Sequence, residues 1–240
     1  MTIHLITTCS RSKATPPGDT RFPYTETKPA AALAAWRETL SRAPVTGSTA
    51  ALYCGLHSDR ARAIAARHAE VGLWFLSAGL GLRHATDPAV TYEATFHDLP
   101  YPAALHWAGL TYSPPLPGRQ PSLTRLMQSS PGDKYVIAAS PVYLAAVEDD
   151  LVAGAAALPE ADRQLIIVTS KGYQGGSVST GSPEPCGDAD RTENQYDRAE
   201  YQSCRAANRQ PDRSGNSPDP GSDQLPDTMD CIRHGEKNKK

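Results

Sequence analysis

The residues best equipped for chemistry stand at the start of the chain. Cys9-Ser10-Arg11-Ser12-Lys13 sets a thiol, two hydroxyls and two cations directly behind the β-prone run Ile3–Thr8. A buried strand that ends this way delivers a polar loop to the edge of a sheet, and open α/β folds bind ligands just past the carboxyl ends of their strands. A cationic, hydroxyl-rich turn at that edge suits a phosphate or another anion. Arg11 and Lys13 are the cations for such a grip, with Ser10 and Ser12 beside them. Cys9 has two readings. It is either a nucleophile with His57 as its base, or a small apolar side chain that packs the end of the sheet.

A loop of this kind needs strands to carry it, and the chain supplies apolar runs alternating with helical patterns. Strands are expected at residues 3–8, 49–53, 73–76, 135–139 and 165–169. Helices are expected at residues 29–40, where Leu33, Trp36 and Leu40 share a face, and behind Ser58 or Asp59, where Ala61, Ile64, Ala65 and Ala69 recur at helical spacing. A third runs over residues 141–151 and opens on a proline. Strands alternating with helices give a mainly parallel sheet covered on both faces, and right-handed crossovers bring the strand ends to one edge. The exits then gather Cys9–Lys13, Tyr53-Cys54-Gly55-Leu56-His57-Ser58, Ser77-Ala78-Gly79-Leu80-Gly81, Ser140-Pro141 with Tyr143, and Thr169-Ser170-Lys171. Residues 83–118 form a long excursion rich in aromatic and acidic side chains, among them Asp87, Tyr92, Glu93, Thr95, Phe96 and Asp98. Excursions of this length in compact domains commonly carry function.

The expected fold is α/β: a three-layer single domain, residues 1–172, with a mainly parallel sheet of about five strands. Beyond it, residues 173–240 turn to Gly, Ser, Pro, Asp, Asn, Gln and Arg. Such a tail is expected to be disordered, because it cannot bury enough apolar surface to offset its ordering entropy.

A net charge of −2 argues against capture of nucleic acid by bulk charge alone. The charge is unevenly placed: residues 1–72 carry nine Lys or Arg against five Asp or Glu, a local excess of +4. A local basic face engages phosphates even on a near-neutral protein. The cysteines are Cys9, Cys54, Cys186, Cys204 and Cys231, an odd number without a CxxC pair. The chain shows neither a secretory signal pattern nor an apolar run of membrane-spanning length. A cytoplasmic protein with reduced thiols is expected, with no membrane partner, no metal and no cofactor.

Three ordered motifs together resemble a poorly characterised bacterial domain family related to the YaaA peroxide-stress proteins. They are Cys9-Ser10-Arg11-Ser12-Lys13 after the first strand, Leu52-Tyr53-Cys54-Gly55 after the second, and Leu76-Ser77-Ala78-Gly79-Leu80-Gly81-Leu82 followed by Asp87 and Tyr92-Glu93-Ala94-Thr95-Phe96. More remotely, residues 1–170 are similar to the lysine-transferring domain of archaeosine synthase and to the uracil-DNA glycosylase-like fold. The chain lacks the glycosylase water-activating motif, the extended Cys-Lys-Pro-Tyr pattern of archaeosine synthase and the helix-hairpin-helix of YaaA. The resemblance implies a protein that acts on nucleic acid at or near a base.

The leading expectation is a DNA glycosylase-like hydrolase that removes a modified base, with a place in defence against phages whose DNA carries such bases. Cleaving an N-glycosidic bond builds positive charge on the sugar and negative charge on the departing base. It needs a carboxylate near the sugar, a donor near the base and a positioned water. Asp87 is the first choice for the carboxylate, Glu93 the second and Asp98 the third, with His57 as donor or water holder. Tyr53, Tyr92 and Phe96 would stack on an extruded base. Gly79 and Gly81 would let backbone amides approach it, and Gly55, Ser77 and Thr95 complete the substrate-binding set. Two other readings use the same edge: a non-enzymatic YaaA-like DNA-binding stress protein, and an enzyme that modifies a 7-deazaguanine base in place, for which Cys9 matters most.

Overall fold

β1 (Ile3–Thr8) is the central strand of a five-stranded sheet. In the computed structural model, which describes residues 1–170, the chain continues through α1 (Pro29–Arg42), β2 (Gly47–Ser48), α2 (Thr49–Leu52), α3 (Leu56–Arg67), β3 (Val71–Ser77) and β4 (Gly81–His84). There follow β5 (Pro88–Ala89), a single 3-10 turn (Phe96–Asp98), α4 (Ala103–Tyr112), α5 (Leu123–Ser129), β6 (Lys134–Ala138), α6 (Pro141–Ala155), α7 (Ala161–Gln164) and β7 (Leu165–Val168). The expected polar tail, residues 173–240, lies outside the described residues.

The sheet order is β4-β3-β1-β6-β7. β3, β1, β6 and β7 are parallel, and β4 pairs antiparallel with the outer edge of β3. The register sets Ile6 between Trp74 and Ile137, so the middle of β1 is enclosed on both sides. Ile6 is fully buried, as suits the central strand of a parallel sheet covered on both faces. The chain leaves β1 toward β3, then returns past β1 to form β6 and β7. The strand order therefore reverses beside β1, and the carboxyl ends of β1 and β6 flank the point where open α/β sheets form a ligand crevice.

Helix α1 begins on Pro29, whose fixed φ suits a first turn. It buries Ala32, Leu33, Trp36 and Leu40 at a spacing of three or four. Trp36 Nε1 donates to the Gly79 carbonyl at 2.7 Å, which anchors the helix to the exit of β3. α3 packs on β1 and β3. α4 and α5 each pack on α6, and Asp150 of α6 secures them by accepting from Trp107 Nε1 and from the backbone amides of Leu123 and Thr124, each at 2.9 Å.

Two expectations are corrected. Residues 49–53 are not a strand: Thr49–Leu52 is one turn of helix. The Thr-Ala-Ala-Leu run has enough helix-forming residues to coil once the Thr49 amide is bonded to the Asp87 carbonyl at 2.8 Å and the Ala50 amide to the Ala85 carbonyl at 2.9 Å. The fifth strand of the sheet is β4 instead. The excursion at residues 83–118 is also not bare loop, since it holds β5, the 3-10 turn and α4.

Candidate active site at the exit of the central strand

The β1 exit is held by backbone bonds along its length. The Cys9 amide donates to the Leu76 carbonyl at 2.8 Å. Lys13 and Tyr53 form an antiparallel bridge, flanked by Ala14 N–H to the Leu52 carbonyl at 2.9 Å and Cys54 N–H to the Ser12 carbonyl at 3.0 Å. The Ser10 hydroxyl donates to the Ser12 carbonyl at 2.6 Å, closing the turn on itself. Residues 52–54 thus reach the same edge as the β1 loop although no strand carries them. Arg62 of α3 fixes their position, with Nη1 donating to the carbonyls of Ala50 and Tyr53 at 2.7 and 2.5 Å.

Inside this lacing sits a buried polar cluster. Cys9 Sγ and Tyr143 Oη are 3.1 Å apart, joining the exit of β1 to the first turn of α6 across the strand reversal. Burial, followed by the neighbouring Cys9, pushes the Tyr143 phenol far up. Lys13 is only 7% exposed. Its Nζ donates to the carbonyls of Ser10 at 3.1 Å and Arg11 at 3.4 Å and lies 4.4 Å from the centre of the Tyr92 ring. Burial pushes the Lys13 amine down, and Cys9 and Glu93 act in the opposite direction. Beneath it the Tyr92 hydroxyl meets Ser77 Oγ at 2.6 Å and the Tyr53 hydroxyl at 3.0 Å, while Ser77 Oγ accepts from the Leu80 amide at 2.9 Å.

Comparison with family models, curated proteins and solved structures finds no match. The chemistry of the edge therefore rests on its own geometry. Among the described residues no group of three or more His, Cys, Asp and Glu side chains is placed to hold a metal ion, and no helix is long and apolar enough to cross a membrane.

The expected site residues divide into those the edge gathers and those it does not. Cys9, Ser10, Arg11, Ser12, Lys13, Tyr53, Gly55, Ser77, Gly79 and Tyr92 converge there. Arg11 and Lys13 part company: Arg11 is exposed, whereas Lys13 lies inside. His57 is exposed in the first turn of α3, behind Gly55, whose φ of 109° only glycine adopts readily. Glu93 is on the rim, about half exposed, paired with Arg21 at 2.7 Å and close enough to act on Lys13. Asp98 and Glu93 both act on Tyr24, a half-buried phenol pushed up to about 12 by burial.

Asp87 is elsewhere. β4 runs back along β3, the Ala85 amide bonds to the Leu73 carbonyl, and Asp87 follows near the amino-terminal half of the sheet. Its Oδ2 accepts from the His84 amide at 2.8 Å and the Arg119 amide at 3.3 Å and lies 4.0 Å from Arg83 Nε. Arg83, 1% exposed, donates to the carbonyls of Pro88, Leu116 and Pro117. The pair pins the excursion to β4. The rings of Tyr53, Tyr92 and Phe96 are 0%, 1% and 5% exposed, which leaves no face for a base. Phe96 meets His106 and Tyr143 edge-on. Gly79 serves packing: a Cβ there would lie 2.4 Å from the Tyr92 ring. Gly81, at φ 78°, turns the chain from β3 into β4. Thr95 accepts from the His97 amide and starts the 3-10 turn.

Two residues of the edge were not singled out for a role from sequence. Tyr143 has a legible signal, a phenol in the first turn of a helix that follows a strand. Tyr24 has none, because its place depends on the Thr95 amide, which donates to its hydroxyl at 2.7 Å across the fold.

Proposed function

We propose that the protein is a DNA glycosylase-like hydrolase that cleaves the N-glycosidic bond of a modified base, with anti-phage defence as the setting that suits such a substrate. One observation carries the reading. The β1 exit combines an exposed cation, Arg11, and a rim carboxylate, Glu93, over a buried polar cluster at the strand reversal. The reaction needs these parts: a phosphate grip, a negative charge to stabilise an oxocarbenium-like sugar, and donors for the departing base. Glu93 takes the carboxylate role that the sequence assigned first to Asp87. His57 is the donor for the base or its attacking water. Tyr24, half-buried beside Glu93, offers an aromatic edge to the extruded base.

The Cys9–Tyr143 contact favours one alternative, in-place modification of a 7-deazaguanine base through the thiol. A panel of DNAs carrying different modified bases decides between them. Released free base with matching abasic sites is the expected result. A mass change on a base that stays in the strand points to the alternative. Salt-sensitive binding with no product from any modified DNA is the signature of a DNA-binding protein and overturns both.

A further inference from the structure

The two faces of the sheet are unequally covered. The register puts Leu165 and Ile167 of β7, Tyr135 and Ile137 of β6 and Ile6 of β1 on one face, and all five are buried. That face is sealed out to the edge strand, and the Tyr135 hydroxyl reaches the Leu126 carbonyl of α5. The opposite face starts out equally well covered: Thr7, Leu73 and Phe75 are buried where α3 packs on β1 and β3. Its cover then runs out. Leu5, Val136 and Ala138 are half-buried, and Ile166 and Val168 stand 46% and 40% exposed. These five aliphatic side chains form a strip across β1, β6 and β7. Parallel strands are ordinarily buried on both faces, and an open apolar strip on one of them marks a contact.

The position of the strip says which chain suits it. The step from β1 to β3 runs opposite to the steps from β3 to β6 and from β6 to β7, so right-handed crossovers put α3 on the face opposite α5. Chain that returns from β7 over β6 moves in the same direction as the first step, and the same handedness brings it to the face of α3. The 70 residues 171–240 follow β7 directly. Their longest run without Gly or Pro is residues 188–210. Thr192 and Gln195 have the spacing of a capping box, Glu193 falls in the first turn, Arg205 and Arg209 fall toward the end, and Pro211 follows. Tyr196, Ala199, Ser203, Ala206 and Ala207 recur three or four apart, with Arg198, Gln202, Arg205 and Arg209 on the other side. Small side chains let a helix lie close on a sheet. As a helix, residues 193–207 would be about 22 Å long, enough to cross strands of about 17 Å. Residues 171–191 leave ample chain for the return.

We infer that residues 193–207 form a helix that docks on Leu5, Val136, Ala138, Ile166 and Val168, so that chain beyond the last strand completes the α/β domain. The inference is independent of the glycosylase reading.

The test uses the full-length chain. Ile166, exposed enough to accept a larger side chain, is exchanged for photo-reactive benzoylphenylalanine, and the products of irradiation are mapped by peptide mass. A cross-link within one chain, to residues 193–207, is expected. Hydrogen exchange of the unaltered protein is read beside it: amides 197–207, behind the unbonded first turn, should exchange at least about tenfold more slowly than those of residues 172–187, each corrected for its intrinsic rate. Ser203→Asp, on the apolar stripe, should abolish that protection, whereas Arg198→Asp, on the opposite side, should keep it. A cross-link joining two chains puts a second copy on the strip and overturns the inference. So does a cross-link to another part of the tail, or none at all. Exchange at 197–207 as fast as at 172–187 overturns it too, and this reading needs no variant to fold. Equal loss of protection in Ser203→Asp and Arg198→Asp shows that the stripe does not dock, and it also overturns the inference.

Discussion

Cys9 Sγ and Tyr143 Oη lie 3.1 Å apart and join the end of β1 to the first turn of α6. The contact crosses the place where the strand order reverses, so it couples the two elements on either side of that reversal. Both groups are buried, at 8% and 9% exposure, so the contact is shielded from water.

Removing one of them strands the other. Cys9→Ala is expected to destabilise the fold by about 1–3 kcal/mol, the cost of a buried polar group left unmatched. Tyr143→Phe in the Cys9→Ala background should cost less than the sum of the two single changes. Urea denaturation of the four species measures the coupling. Strict additivity would show that the two groups do not interact.

Glu93 and Asp87 should respond in opposite ways. Glu93→Gln is expected to lower base release by more than about 100-fold, the usual scale of an electrostatic or acid–base contribution, and to leave stability nearly unchanged at its exposed position. Asp87→Ala leaves Arg83 buried without its carboxylate and should cost roughly 3–5 kcal/mol of stability. Turnover of the folded fraction should stay near wild type. If Asp87→Asn folds normally but is inactive, the roles are reversed.

His106 makes stability depend on pH. It is fully buried, its Nε2–H donates to the Ala78 carbonyl at 2.7 Å, and Nδ1 accepts from the Tyr101 hydroxyl at 3.1 Å. Burial pushes the imidazole down to about 4. In the unfolded chain the ring takes its proton as the pH falls through about 6.5, so the unfolded state binds more protons between the two values. Stability is full above that range and drops as the pH falls toward 4, by roughly 3 kcal/mol from this group. His106→Gln keeps an N–H for the Ala78 carbonyl and should flatten that part of the profile. The contributions of His4 and His84, also pushed down by burial, remain. An unchanged slope in His106→Gln would refute the assignment.

Gly79→Ala probes the floor of the cluster. The added methyl would lie 2.4 Å from the Tyr92 ring and must displace it, disturbing the hydroxyl contacts of Tyr92 with Ser77 and Tyr53. Overpacking of this kind costs about 1–3 kcal/mol. A thermal melt at wild-type temperature would show that the ring moves freely.

The strands β1, β3, β6 and β7 are legible because each is rich in aliphatic and β-branched or aromatic residues and ends in a polar turn, and α1 is legible because its apolar residues recur three and four apart. Thr-Ala-Ala-Leu was misread because four residues suit either state, and long-range bonds from Asp87 and Ala85 decided for helix. β4 escaped notice because it is short and carries a buried arginine, which no apolar pattern reports. α4 is apolar over most of its length, so it shows no stripe to read. At the site, the polar residues of the β1 exit were visible as a group, but their depth was not. Nothing in Ser-Arg-Ser-Lys tells that Arg11 faces solvent while Lys13 is enclosed; that follows from the bridge to Tyr53. The displacement of Asp87 was equally hidden, since it depends on β4 turning back along the sheet.

The lacing of residues 9–14 to residues 52–54 and 76 constrains how a substrate can be admitted. A segment bonded on both flanks and folded over its own serine cannot swing as a flap without breaking several backbone bonds together. Selectivity at this edge must then come from a rigid template. On the glycosylase reading, a nucleotide has to present itself already unstacked, and the cost of extrusion falls on the nucleic acid. Bases that are weakly paired, or strands that are already single, become the favoured clients before any atom of the base is read.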